Sequence, residues 1–458
     1  MNFYNLQKEF EDAEYLFNLP ADESKPYEHK YAAREKLNKI LLNVGEVQDK
    51  DTRFVIQMLV NFHLATNYLE TEENFQAEKH FQETIKILSH LPPKSMQYYL
   101  NYLQECYNAL GILLTNREDV SNGLSAFAKA EQLKTVADQI YAVTKTCDVF
   151  SSIEYSRLLS DPNNKEKIRF TSYLEGGLNI LRFEKNFTLT IFYMAQAYTK
   201  ANLKYKAAEY CGDTLKRQFE RNEYELKDWC VNCMSLTDYF IEHRQFAQAQ
   251  YILAAGMSVI PEGKKKKLRA SFHMALGRYL LEFLKFAVEK YRLGQSEEPI
   301  LKTEINKKTL EFNGVGVKFV ELNVPKNYEE MASVFRQLNT QAKKALQVYV
   351  LDGYVTENIQ ICRDLSLAYK MLTIIETDPE KILALHERRR ELLETPASEI
   401  NPKAYENFYQ VFIIILMKIR LIFVTLPFSI FHWSLETSIT VSSKLSGRSR
   451  TKRTLEKD

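Results

Sequence analysis

The sequence predicts an all-α protein built from repeated helix-turn-helix units, and three observations lead there. Glycine and proline are scarce, Gly 14 and Pro 12 in 458 residues, which removes the main turn-formers of sheet proteins. Helical hydrophobic periodicity runs through most of the chain. Four stretches also share one spacing: a small residue, a large apolar or aromatic residue three later, a second small residue twelve after the first, and an apolar residue four beyond that. This is the pattern of a tetratricopeptide repeat, in which small residues let two helices approach and large ones fill the space around them.

Along the chain, "NFHLATNYLETEENFQAEKHFQETIKIL" carries the pattern at Ala65, Tyr68, Ala77 and Phe81, and "YNALGILLTNREDVSNGLSAFAKAEQL" at Gly111, Leu114, Gly123 and Phe127. "IFYMAQAYTKANLKYKAAEYCGDTLKRQF" carries it at Ala195, Tyr198, Ala207 and Cys211, and "CMSLTDYFIEHRQFAQAQYILAAGMSVIP" at Thr237, Phe240, Ala249 and Leu253, ending on Pro261. A fifth start at Gly277 lacks a matching second helix nearby. The small positions lie farther apart than the standard period of about 34 residues, so the helices are extended versions of the motif. Between residues 135 and 185 the pattern fades around the polar loop "SDPNNKEK", where a degenerate hairpin is expected.

After Pro261, "EGKKKKLR" reads as a charged connector, residues 268–293 as one long helix closed by "LGQSEEP", and residues 301–325 as an irregular, glycine-bearing segment. A second helical unit starts near Asn327. It breaks at "LDGYVTENIQ", where Asp352 and Gly353 stop one helix and Thr356 is expected to cap the next. Asp378 and Pro379 punctuate the following helix as N-cap and first helical residue. The expected division is therefore 1–261 for an N-terminal solenoid, 262–326 for linker helix and irregular segment, 327–408 for an incomplete set of C-terminal repeats, and 409–458 for a hydrophobic and then basic tail.

Lys+Arg 61 against Asp+Glu 59 gives a net charge of +2, which is not the electrostatic footprint of a nucleic-acid binder. The N-terminus lacks the basic start and apolar run of a signal peptide, and the cysteines fall mostly inside helical patterns, so a cytoplasmic, reducing location is expected. Cys230 and Cys233 in "WCVNC" have redox or zinc half-site spacing, but no second CxxC follows, and their place in the repeat marks them and Trp229 as core. "NGVGVKF" lacks the Lys-Ser/Thr of a phosphate loop. "GKKKKLR" reads as a solvated linker, and "HERRRELLE" as a charged helix face with local ion pairing. No catalytic residue, cofactor site or metal set emerges, so an enzyme is not expected.

"DGYVTENIQICRDLSLAYKMLTIIETDPEKILALHERRRELLE" followed by "INPKAY" resembles the C-terminal signature of the KIF-binding protein family, the kinesin-motor-binding α-solenoids. "AAEYCGDTLKRQFERNEYELKDWCVNCMSLTDYF" resembles that family's central repeats, and "NALGILLTNRE" an earlier one. The resemblance runs from about residue 25 to 408. It implies a right-handed solenoid in two subdomains joined by a long helix. It also implies a cytoplasmic, cytoskeleton-associated adaptor that clasps the motor domains of a subset of kinesins, hinders their attachment to microtubules and so regulates transport. Microtubules would be engaged only indirectly.

Repeat geometry places first-helix residues beside the small position on the concave surface, which selects Tyr193, Gln196, Ser235 and Asp238. The resemblance implies a motor-facing role for the same positions, and for Gln218 in "LKRQ"; Asp238 stands where the family has glutamine, and Ser235 where relatives often have threonine. The competing expectation is a generic repeat scaffold that captures a peptide tail. Such sites need a carboxylate clamp of Lys and Asn or Arg on successive first helices, which Gln196, Ser235 and Asp238 do not supply.

After Phe408 the chain turns into "VFIIILMKIRLIFVTLPFSIFHW", residues 411–433, and a Ser/Thr/basic end. A membrane anchor there is marginal, because Lys418 and Arg420 nearly cancel the apolar residues on an insertion scale and Pro427 interrupts the run. The favoured expectation is a truncated or divergent end that leaves the solenoid without its closing cap.

Overall fold

The computed structural model describes residues 3–21, 23–48, 50–90, 96–146, 180–294, 310–320 and 322–424. They form helices packed in sequence-adjacent pairs, with no strand among the described residues. By contact they gather into two compact units, Met1–Arg221 and Asn222–Asp458. That division follows packing, whereas the boundary expected at residue 261 followed sequence punctuation.

The first unit holds α1 (Phe3–Phe17), α2 (Glu28–Asn43), α3 (Lys50–Glu70), α4 (Asn74–Ser89), α5 (Met96–Asn116), α6 (Val120–Thr146), α7 (Ile180–Lys200) and α8 (Lys204–Glu220). The close pairs are α1 with α2, α3 with α4, α5 with α6 and α7 with α8, and α7 also lies against α5 and α6. The hairpin expected between residues 135 and 185 falls largely on residues 147–179, outside the described ones.

The second unit holds α9 (Leu226–Glu242), α10 (Phe246–Ser258), α11 (Lys266–Arg292), α12 (Tyr328–Leu346), α13 (Val355–Ile375), α14 (Pro379–Glu399) and α15 (Glu406–Val424). The expected long helix is α11. It packs on α10 at one side and on α12 and α13 at the other, and so joins the last motif-bearing hairpin to the helices after it.

The four motif-bearing hairpins close alike. Seven residues after each small position, Glu72, Glu118, Asn202 and Arg244 take left-handed backbone, with φ 63, 65, 57 and 57°. The next residue's N–H reaches back over the helix end: Glu73 to Tyr68 C=O at 2.9 Å, Asp119 to Leu114 at 3.0 Å, Leu203 to Tyr198 at 2.9 Å and Gln245 to Phe240 at 2.7 Å. This is the Schellman closure, which satisfies orphan carbonyls and turns the chain for the second helix. The acceptors are the large residues of the repeated spacing, so side-chain packing and turn are set by one local pattern. At Gly111 the helices approach so closely that a Cβ would lie 2.5 Å from the Phe127 ring.

The spacing holds in burial at Ala65, Ala77 and Phe81, and at Thr237, Phe240, Ala249 and Leu253. In α8 it is offset by one residue. Ala207 and Cys211 are half-buried, while Ala208, Gly212 and Leu215 face inward. Small residues at both 207 and 208 allow either to meet α7, and the helix buries the second.

The break at residues 351–353 is the connector between α12 and α13. Gly353 has φ 103°, a conformation that side-chain-bearing residues seldom adopt. The residue at the start of α13 is Tyr354, without a side-chain cap, and Thr356 lies inside the first turn. The connector is held instead by buried Asn358, whose Nδ2 donates to Tyr349 C=O at 2.8 Å. Asp378 caps α14, its Oδ1 accepting the Glu380 N–H at 3.0 Å, with Pro379 first in the helix. At α12, Asn327 Oδ1 accepts the Glu330 N–H at 3.0 Å, and Glu330 returns a bond from the Lys326 N–H at 2.8 Å.

The described part of the irregular segment, 310–320 and 322–326, lies along α9 and α10 with Leu310, Phe312, Val315 and Val324 buried. Phe312 packs edge-on to Trp229 at 5.6 Å, and its N–H donates to Tyr251 Oη at 2.7 Å. α15 lays Phe412, Leu416 and Ile419 into a core shared with Ile359 and Cys362 of α13, Leu393 of α14 and Ile400 just after it. Residues 406–424 are therefore part of the second unit's packing; residues 425–458 lie outside the described ones.

Candidate partner-binding site

In the first unit, α7 buries Phe183, Phe187, Ile191, Met194, Ala195 and Ala197, an i, i+4 stripe against α5, α6 and α8. Gln196 lies on the opposite, exposed face. Tyr193 is half-buried and stacks parallel to Phe127 of α6 at 6.3 Å, so its ring packs α7 against the preceding hairpin. Gln218 is half-buried on α8.

In the second unit, α9 is capped by Glu225, whose carboxylate accepts the Asp228 N–H at 2.9 Å. Trp229, Cys230, Cys233, Leu236, Thr237 and Phe240 are its buried face. Ser235 and Asp238 are exposed on the other side. Ser235 Oγ donates to its own helix at Val231 C=O, 3.2 Å. Asp238 pairs with Arg278 of α11 at 3.5 Å. The structure thus brings Ser235 and Asp238 together on one face of α9 and Tyr193 and Gln196 together on α7.

Ser235 and Asp238 line a cleft of about 610 Å³ between α9 and α11, with Arg244, Arg278, Lys285 and Phe286 among its walls. The Arg244 guanidinium lies over the Phe286 ring, 5.2 Å from its centroid, and pairs with Glu289 at 3.1 Å. Lys285 pairs with Glu282 at 2.8 Å. The Arg278–Asp238 side chains are 57% and 55% exposed, so this pair contributes no more than about 1 kcal/mol. Such surface pairs exchange readily for charges on a docked protein, giving orientation and fast encounter rather than a fixed pocket. The α11 residues were missed in the sequence, although Arg278, Glu282, Lys285 and Glu289 recur at i, i+4, i+7 and i+11 and so mark one charged helix face.

No group of three His, Cys, Asp or Glu side chains among the described residues is placed to hold a metal ion. Cys230 and Cys233 are fully buried, and burial pushes the Cys230 thiol up to about 12, which leaves no reactive thiolate at neutral pH. Lys264, Lys265, Lys266 and Lys267 are exposed, as expected of a solvated connector. In "HERRRELLE", Arg390 pairs with Glu387 and with Glu394, the latter at 2.7 Å, and Arg388 with Glu391 at 3.2 Å. Arg389 departs from that surface reading. It is buried, donating to Ser366 C=O at 3.1 Å and to His386 Nδ1 at 3.0 Å. Burial, with Arg389 beside it, lowers His386 to about 4 and keeps it a neutral acceptor.

Residues 227–416, from the first turn of α9 into α15, match the family model described as "KIF-1 binding protein C terminal". The match runs past Phe408, where the sequence resemblance was expected to end. The chain is 24% identical across 463 residues to the KIF-binding protein of Bos taurus, covering 84% of this chain and 70% of that protein. It is 24% identical across 461 residues to that of Homo sapiens, with the same coverage, and 24% identical across 378 residues to that of Drosophila melanogaster, covering 74% and 59%. Among solved structures, the cryo-EM structure of KIFBP core aligns with a TM-score of 0.43 at 22% identity, covering 64% of this chain and 98% of that one. The family match lies over the helices of the second unit and the relatives align across both units, so the chain is similar along most of its length to the KIF-binding proteins.

Proposed function

We propose that this chain is a non-enzymatic adaptor of the cytoplasm and cytoskeleton that binds kinesin motor domains and regulates their attachment to microtubules, and through it cargo transport. The observation that carries the reading is the alignment with proteins named KIF-binding protein over 84% of the chain. The exposed first-helix faces support it: each presents polar side chains beside a buried small residue, and in the second unit the face opens on a charged cleft. Within this reading Gln196 and Ser235 are polar contacts to the motor. Tyr193 and Gln218 provide half-buried contacts, and Asp238 acts through the charge it exchanges with Arg278.

Retention of the chain on an immobilised kinesin motor domain tests this. The unmodified chain is retained, Gln196→Glu and Ser235→Glu each weaken retention, and the double variant weakens it by at least about tenfold, since each places an unpaired charge against the docked surface. Retention unchanged in the double variant removes these two residues from the contact. Failure of the unmodified chain to be retained overturns the adaptor reading.

A further inference from the structure

Helix α15 is apolar on two faces. Phe412, Leu416 and Ile419 are committed to the core with α13 and α14. On the opposite side Val411, Ile414, Met417, Leu421 and Val424 are exposed, Met417 and Val424 at 62% each. At 3.6 residues per turn these five form one stripe, with exposed Lys418 at one edge and Arg420 at the other. Arg420 comes only within 4.0 Å of Glu394 and is 72% exposed.

We propose that the outer face of α15 docks on an anionic lipid surface, lying in the interface rather than crossing it. An apolar stripe with a cation at each edge is the pattern of an interfacial helix, whose aliphatic side chains enter the acyl boundary while the cations reach lipid phosphates. α15 is the one helix among the described residues long and apolar enough to span a bilayer, but spanning would require Phe412, Leu416 and Ile419 to leave their core. A second copy of this chain fits the stripe less well, because two-fold pairing of the helix sets cations of the two copies against each other along both edges.

Flotation of the purified full chain with vesicles tests the proposal independently of any kinesin. Binding is expected to vesicles of phosphatidylcholine with about one third phosphatidylserine, at least about tenfold above phosphatidylcholine alone, and to fall with added salt. Met417→Glu with Val424→Glu lowers that binding by about tenfold without changing the thermal transition, since both side chains are exposed. Lys418→Glu with Arg420→Glu removes the preference for phosphatidylserine. Three results each overturn the proposal: equal binding to both vesicle types, binding undiminished by the Met417 and Val424 changes, and alkali-resistant insertion. So does a failure to float, whether the chain stays monomeric or forms a dimer that Met417→Glu with Val424→Glu dissolves; the dimer would make this face an interface between copies.

Discussion

Trp229→Ala is expected to lower the stability of the second unit by about 3–5 kcal/mol, the range for removing a large aromatic side chain from a core. Trp229 is 1% exposed and meets Tyr224 at 5.4 Å and Phe312 at 5.6 Å. Its indole is the wall against which the irregular segment settles, and the Phe312 N–H bond to Tyr251 Oη depends on that seating. The variant should therefore show a lower denaturant midpoint together with faster proteolytic cleavage and amide exchange at residues 310–320. Phe312→Ala should give the same local release with a smaller global loss, because it leaves the Trp229 side of the core in place. A Trp229→Ala protein with an unchanged midpoint and a protected Phe312 amide would refute this account of how the segment is held.

Arg34→Ala is expected to destabilise the first unit by about 2–4 kcal/mol, less than for a fully buried ion pair because Glu73 is partly exposed. Arg34 on α2 reaches the end of α3 with its whole fork: Nε donates to Asn67 Oδ1 at 2.9 Å, Nη1 to Glu73 at 2.8 Å and Nη2 to Thr71 Oγ1 at 2.6 Å. Its guanidinium also covers the Tyr68 ring, 3.9 Å from the centroid. Removal leaves buried Asn67 and Thr71 with one partner fewer and uncovers the turn that closes α3 onto α4. Arg34→Lys keeps a charge but cannot span the three acceptors, so it should recover less than half of the loss. Full recovery by lysine would show that charge alone, rather than the planar fork, secures the turn.

The hairpins were legible because their determinants are local. Ala65 and Ala77, or Thr237 and Ala249, lie twelve residues apart, and the turn between them follows from the same spacing. Capping by Asp378 and the start at Asn327 were legible for the same reason. Features that depend on distant partners were not. Arg389 reads as one of three surface arginines, and only the approach of Ser366, from another helix, shows that it points inward. The Arg34 fork, the Asp238–Arg278 pair and the division of the chain at residue 221 likewise join residues far apart in sequence. Of the site residues, the outward face of Gln196, Ser235 and Asp238 followed from helical period, whereas the cleft beside Asp238 required the placement of α11. Thr356 was misassigned because it sits two residues inside a helix whose connector is secured by Asn358 instead.

The proposed role, an adaptor that would hold kinesin motor domains away from microtubules, is tested by co-sedimenting a purified motor domain with microtubules in the presence and absence of this chain. The account predicts that motor leaves the pellet as the chain is added and appears in the supernatant as a stoichiometric complex. Motor that continues to pellet undiminished with the chain in excess, and no soluble complex, would contradict it.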